Sequence, residues 1–231
     1  MLSSRTRPEP GEFAVMIPGG SRSPRKARGH GAERRVEILD AALRLFAARG
    51  VLAVSTRDIA AAVGISQPAL YAHFRSRDEI LAELCERAFQ ALARRMDALP
   101  VDAVRDRATF LEMCRIYIDF GLEQPDAYRV AFMLEKQRAG SEPLDPRILA
   151  AGVDTFGDFQ ARVTRLVSAG LTRPGEARLL TQSLWAGLHG LVSLLLARRE
   201  FPWVDIDTLV ARHLELLADG VLAPDPVSPR R

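Results

Sequence analysis

Cysteine is nearly absent from this chain of 231 residues, which holds only Cys85 and Cys114. They form neither a C-x-x-C nor a Cys/His spacing, so a disulfide framework or a zinc site has no basis here, and a reducing cytoplasm suits the chain. Long apolar runs are missing too. No uninterrupted stretch approaches the ~20 residues that cross a bilayer, and no apolar region with a cleavage site opens the sequence, so neither membrane insertion nor export is expected. The usual signatures of catalysis are also lacking: there is no H-E-x-x-H, G-x-S-x-G or Walker-type loop. Ala27, Leu70, Ala186 and Val210 stand three residues before the four histidines, which removes the Glu-x-x-His pairs of a di-metal helical bundle. We therefore expect no enzyme, no cofactor and no metal site.

Charge is scarce in the balance but uneven along the chain. The net value is +3, yet residues 1–80 hold 13 Lys/Arg against 8 Asp/Glu, whereas residues 81–231 hold 19 against 21. A basic surplus at one end is what phosphate binding asks for. The length suffices for one large domain or two smaller ones, since such a chain buries about 70% of its unfolded surface.

The basic part contains the most informative stretch, residues 55–74, which reads as two short helices around a tight turn. Ser55 and Asp58 have the capping-box spacing that satisfies orphan amides at a helix start. Ile59 and Val63 share a face, and Gly64 ends the helix where a positive φ is needed. Ser66 caps a second helix that tolerates Pro68 in its first turn. Leu70 and Phe74 point inward, which leaves Gln67, Ala69, Tyr71 and His73 outside, able to meet base edges and phosphates in a major groove. A plain helical hairpin is the alternative, but it does not require this turn, these caps and an exposed Tyr and His together.

Thr56-Arg57-Asp58-Ile59-Ala60, Gly64-Ile65-Ser66, Leu70-Tyr71-Ala72-His73-Phe74 and Ser76-Arg77-Asp78-Glu79 resemble the DNA-binding domain of the TetR family of transcriptional regulators, over roughly residues 33–91. The resemblance implies an all-α fold: an N-terminal three-helix helix-turn-helix domain, residues 33–92, linked by a long helix to a C-terminal helical-bundle regulatory and dimerisation domain, residues 93–222. It implies double-stranded operator DNA as partner, with Thr56, Arg57, Ser66, Gln67, Pro68, Ala69, Tyr71, His73 and Arg77 on the DNA face. Arg57 and Gln67 have donors suited to base edges, and Tyr71, His73 and Arg77 suit phosphates. Ala72 departs from the bulky aromatic of some relatives, so no contact is carried over there.

Outside this block, residues 1–32 are rich in Pro, Gly, Ser and Arg and read as a disordered basic arm. Its stretch from Ser21 to Arg28 suits a minor groove or phosphates, and equally a solvated tail. Met16 offers a second start. From Glu33, the residues Val36, Leu39, Leu43 and Phe46 give one apolar helical face that ends at Gly50. Ser76 and Glu79 spell a second capping box, opening a long helix with Ile80, Leu84, Phe89, Leu92 and Met96 inside; the family resemblance makes it the link between domains.

Phe110, Met113, Cys114, Tyr117 and Phe120 follow at helical spacing, then a segment from Pro125 with Tyr128, Phe132 and Met133. Gly140 to Pro146 is a loop by composition, and residues 147–169 form a helix with Ile148, Val153, Phe156, Phe159, Val163 and Leu166 on its buried side. Residues 179–197 are nearly apolar throughout, so this helix needs partners on most sides. Gln182, Gly187, His189 and Gly190 interrupt it, and burial in an interface accounts for it better than a membrane. A last helix, Val204 to Gly220, is its natural mate, and residues 223–231 form a loose Pro-rich tail. Trp185-Ala186-Gly187-Leu188-His189-Gly190 resembles the Trp-x-x-x-His-Gly signature of one TetR-family regulatory subgroup.

The expected function is therefore a dimeric, cytoplasmic repressor released from a near-palindromic operator by a small, mainly apolar inducer. Helices 175–199 and 204–220 would pair with the same two of a second copy. Met113, Tyr117, Phe132, Phe159, Trp185 and His189 are expected to line the ligand pocket, although aromatics at helical spacing also serve as plain core. A DNA-binding dimer whose second domain takes no small molecule, or binds a protein, stands as the alternative, ahead of a helical-bundle enzyme.

Overall fold

The computed structural model describes residues 30–133 and 145–224. The basic arm before His30, most of the loop read at 140–146, and the tail beyond Pro224 lie outside these residues. Among the described residues nine α-helices form: α1 (His30–Arg49), α2 (Thr56–Val63), α3 (Gln67–Tyr71), α4 (Arg77–Asp97), α5 (Arg107–Glu123), α6 (Pro125–Tyr128), α7 (Pro146–Ser168), α8 (Ala177–Ala197) and α9 (Ile206–Val221). A π-helical turn, Arg129–Met133, continues α6. The all-α expectation holds, with no strand among the described residues.

The first four helices follow their local signals closely, although α1 opens at His30, three residues ahead of Glu33 and within the stretch expected to be a disordered arm. Ser55 and Asp58 make a reciprocal capping box on α2, and Gly64 ends that helix in the left-handed region at φ 72°, where any other residue would be strained. The Ser66 hydroxyl accepts from the Ala69 amide to cap α3. At α4 only half of the expected box forms. Ser76 accepts from the Glu79 amide, but the Glu79 carboxylate reaches one residue further back, to the Arg75 amide at 2.6 Å.

On α1 the buried stripe is Ile38, Leu39, Ala42 and Phe46, whereas Val36 is 44% exposed. Its neighbour Arg35 does the bridging instead. The Arg35 guanidinium lies 4.0 Å from the centre of the Phe74 ring, donates to the His73 carbonyl and pairs with Glu83 of α4. That one side chain ties α1 to the end of the helix-turn-helix and to the long helix behind it.

The five expected inner residues of α4 are all buried. Downstream, α5 packs on α8 so closely that a Cβ placed on Gly121 would sit 2.4 Å from Val192 Cγ1. Helices α8 and α9 approach in the same way, with Gly187 against Leu217 and His213 Nε2 3.1 Å from the Gly187 carbonyl. The Ala223 amide donates to the Leu171 carbonyl, so the chain is still anchored where a loose tail was expected to begin.

Candidate functional site: a nucleic-acid interface and an apolar pocket

The start of α2 and the outer side of α3 meet around one hydroxyl. Gln67 Nε2 donates to Thr56 Oγ1 at 3.1 Å, and the Tyr71 hydroxyl lies 3.3 Å from the same oxygen. Three of the expected DNA-facing residues are thus pre-positioned by each other across the turn, and Tyr71 remains 47% exposed. Arg57, Pro68 and Ala69 are exposed beside them, while the exposed Ser66 spends its hydroxyl on the helix cap. His73 is half-buried.

Arg77 is occupied differently. Its guanidinium donates to Asp78 at 3.1 Å and to the Val51 carbonyl at 3.4 Å, holding the start of α4 against the turn after α1. Phosphate contact from Arg77 would have to share those partners. Arg75, which sequence reasoning passed over, is exposed in the bend between α3 and α4 and has no side-chain partner among the described residues. Its only signal in the sequence was a positive charge next to an inward Phe74.

A cavity of about 780 Å³ opens between α4, α5, α7 and α8, within the ~300–1,000 Å³ usual for ligand sites. Tyr117, Phe132, Phe159 and Trp185 stand on its wall, as expected. Met113 and His189 do not. Met113 is fully buried in the α5 core, and His189 is turned to a part-buried hydrogen-bond chain.

That chain runs across three elements. The indole of Trp185 donates to the Tyr117 hydroxyl at 3.0 Å, Tyr117 meets Tyr128 at 3.0 Å, Tyr128 meets His189 Nδ1 at 2.7 Å, and His189 Nε2 meets Ser193 at 3.2 Å. A neutral imidazole presents one donor and one acceptor, so the hydroxyls of Tyr128 and Ser193 take opposite roles toward it. Burial pushes the Tyr117 phenol up to about 12 and raises that of Tyr128 as well, and it holds His189 below the ordinary histidine value. Every member of the chain therefore stays uncharged near neutrality.

The sequence missed most of the cavity wall. Phe89, Leu92 and Met96 come from α4, where their spacing said only core, and Val153, expected inside, is 59% exposed on the open side. Gly152 gave no signal at all, yet it stands on the wall beside Phe89.

Two family models match this chain. Residues 38–84 match "Bacterial regulatory proteins, tetR family", and residues 110–217 match "Tetracyclin repressor-like, C-terminal domain". Nucleoid occlusion factor SlmA of Salmonella paratyphi A is 30% identical over 190 residues, which is 78% of this chain and 90% of that protein. The chain belongs to the TetR family.

The HTH-type transcriptional regulator AcrR of Shigella flexneri is 40% identical over 62 residues, 27% of this chain and 29% of that relative. A tetR-family regulatory protein from Rhodococcus RHA1 shares the fold with a TM-score of 0.68 at 21% identity, covering 84% of this chain and 99% of its own. This TetR-family protein is thus a DNA-binding transcriptional regulator rather than an enzyme.

Proposed function

We propose that this regulator is a cytoplasmic homodimeric repressor that leaves a near-palindromic operator when a small, mainly apolar ligand fills the cavity. The observation that carries this reading is the position of α4. One face of the helix, through Phe89, Leu92 and Met96, walls the cavity, and its first turn adjoins the helix-turn-helix. A ligand that prefers the state with α4 displaced shifts the population away from the DNA-competent form by its differential affinity. The alternative, a second domain without a small molecule, leaves so large an apolar cavity without a use.

The DNA contacts assigned to Thr56, Arg57, Gln67, Ala69, Tyr71 and His73 belong to the same proposal, as does the Trp-x-x-x-His-Gly subgroup. Its three residues serve three surfaces of α8: Trp185 the cavity, His189 the hydrogen-bond chain, and Gly190 an open face where a Cβ would meet nothing within 4 Å. Leu179 and Leu194 on α8 and Leu216 on α9 are each more than half exposed, and a second copy would cover Leu194 and Leu216.

Selection of bound duplexes from a random-sequence pool tests the reading. The expected product is an inverted repeat with half-sites about 34–36 Å apart, or a multiple of that. Leu194→Glu is expected to halve the mass seen in sedimentation and to abolish binding to the selected repeat. A wild-type monomer at micromolar concentration, with Leu194→Glu binding DNA unchanged, overturns it.

A further inference from the structure

The cavity wall is mostly apolar and carries one charge among its described residues. Among the described residues that line it there is no carboxylate, and the one ionised side chain is Arg178, in the first turn of α8. The Arg178 side chain has no ion pair or hydrogen bond among the described residues, and neither have the side chains of Gln182 and Gln160 on the same wall.

The polar atoms elsewhere on the wall are already spent. The Tyr117 hydroxyl is held between Trp185 and Tyr128, and Thr155 donates to the Ala151 carbonyl at 2.8 Å. A ligand's anionic group placed there would meet hydroxyls that already hold a partner, whereas at Arg178 it would meet an unshared guanidinium. The N-terminus of α8 adds no pull of its own: Glu176, at the N-cap, makes no side-chain hydrogen bond to the first amides, and its carboxylate offsets the partial positive charge there.

We infer that the ligand is an amphiphilic organic anion, its apolar body seated among Phe89, Phe132, Phe156 and Trp185 and its carboxylate, sulfonate or similar group held by Arg178 with Gln182. This rests on the reading of the cavity as a ligand site and narrows the ligand to one chemical class. It also separates two roles within α8: the first turn selects the charge, and Trp185, two turns on, senses the body.

Two dyes of one skeleton test this on the full chain: 1-anilinonaphthalene-8-sulfonate, and N-phenyl-1-naphthylamine, which lacks the sulfonate. Each is titrated by fluorescence into the wild type, Arg178→Gln, Arg178→Lys, Gly152→Trp and Val153→Trp. Arg178→Gln is expected to weaken the sulfonate dye about two- to five-fold, the range open to a charge pair at an exposed rim. The neutral dye should be unmoved, and Arg178→Lys should restore most of the loss. Gly152→Trp and Val153→Trp, which fill the cavity from two positions, are expected to weaken both dyes. If the filling variants block both dyes and Arg178→Gln moves neither, the cavity stands as a site and the anionic class is overturned. If neither filling variant affects either dye, the reading of the cavity as a ligand site fails, and this inference with it.

Discussion

The guanidinium of Arg162, on α7, donates to the carbonyl of Met96 in the last turn of α4 at 3.0 Å. It also reaches Leu99 at 3.2 Å and, on its own helix, Asp158 at 3.0 Å. The residue is 3% exposed, so a buried cation is satisfied by carbonyls at the negative end of a helix rather than by a carboxylate. The other half of α7 walls the cavity. One helix thus both lines the cavity and grips the end of the helix that runs to the helix-turn-helix.

Arg162→Met is expected to cost about 2 to 3 kcal/mol, because it removes charge-assisted hydrogen bonds and leaves buried carbonyls without donors. Arg162→Lys, with one ammonium in place of a fork, should recover only part of it. Urea unfolding of the three proteins checks this. An Arg162→Met variant as stable as the wild type would mean that water replaces the clamp.

Gly121→Ala places a methyl 2.4 Å from Val192 Cγ1 and 3.0 Å from Tyr128. Overpacking of this kind costs about 1 to 3 kcal/mol. Val192→Ala removes the clashing methyl, so the double variant is expected to be more stable than the sum of the single losses allows. Additive losses would show that α5 and α8 simply move apart.

On the DNA face, Gln67→Ala should lower affinity for the selected repeat by about 1 to 3 kcal/mol and narrow its lead over random duplex, as loss of a base-edge contact does. Tyr71→Phe should weaken all duplexes alike. Since both side chains meet at Thr56, Thr56→Val is expected to reproduce part of each effect. Anisotropy titrations on the repeat and on random DNA separate the two roles, and equal losses on both duplexes for Gln67→Ala would refute a base contact.

Burial holds His189 below its ordinary value of 6.5. As pH falls, the unfolded chain therefore takes up this proton before the folded one does. The stability that the neutral imidazole provides is present above about 6.5 and lost as pH drops from there toward the folded value. Melting temperatures between pH 7.5 and 5 are expected to fall less in His189→Asn, which keeps an oxygen to accept from Tyr128 but does not titrate. Parallel curves would exclude His189 as the group responsible.

Local signals were legible where a residue's role is complete within its own turn. Ser55 with Asp58, Gly64 at positive φ and Ser66 before Pro68 each satisfy or release backbone groups a few residues away, so their spacing is the whole cause. Glu79 shows the limit. The Ser76 spacing permits a reciprocal cap, but the Arg75 amide is equally near and takes the carboxylate instead. Stripes were legible only to within a rotation. Val36 was expected on the apolar face of α1, but packing buries Ile38 and leaves Val36 44% exposed.

The sequence by itself determined the all-α class, the helix-turn-helix and its family, because caps, turn glycine and apolar period act over a few residues. Which apolar residues became core and which became wall was decided only in the tertiary structure. Met113 and Tyr117 lie one turn apart on α5, yet one is enclosed and the other faces the cavity. Val153 and Val163 share α7, and only the second is covered. Arg162 and Tyr128 carried no such signal either, since a buried cation or phenol is stable only where distant carbonyls, hydroxyls or a ring nitrogen arrive to satisfy it. Burial and hydrogen-bond satisfaction belong to pairs of elements far apart in the chain, and only packing brings those pairs together.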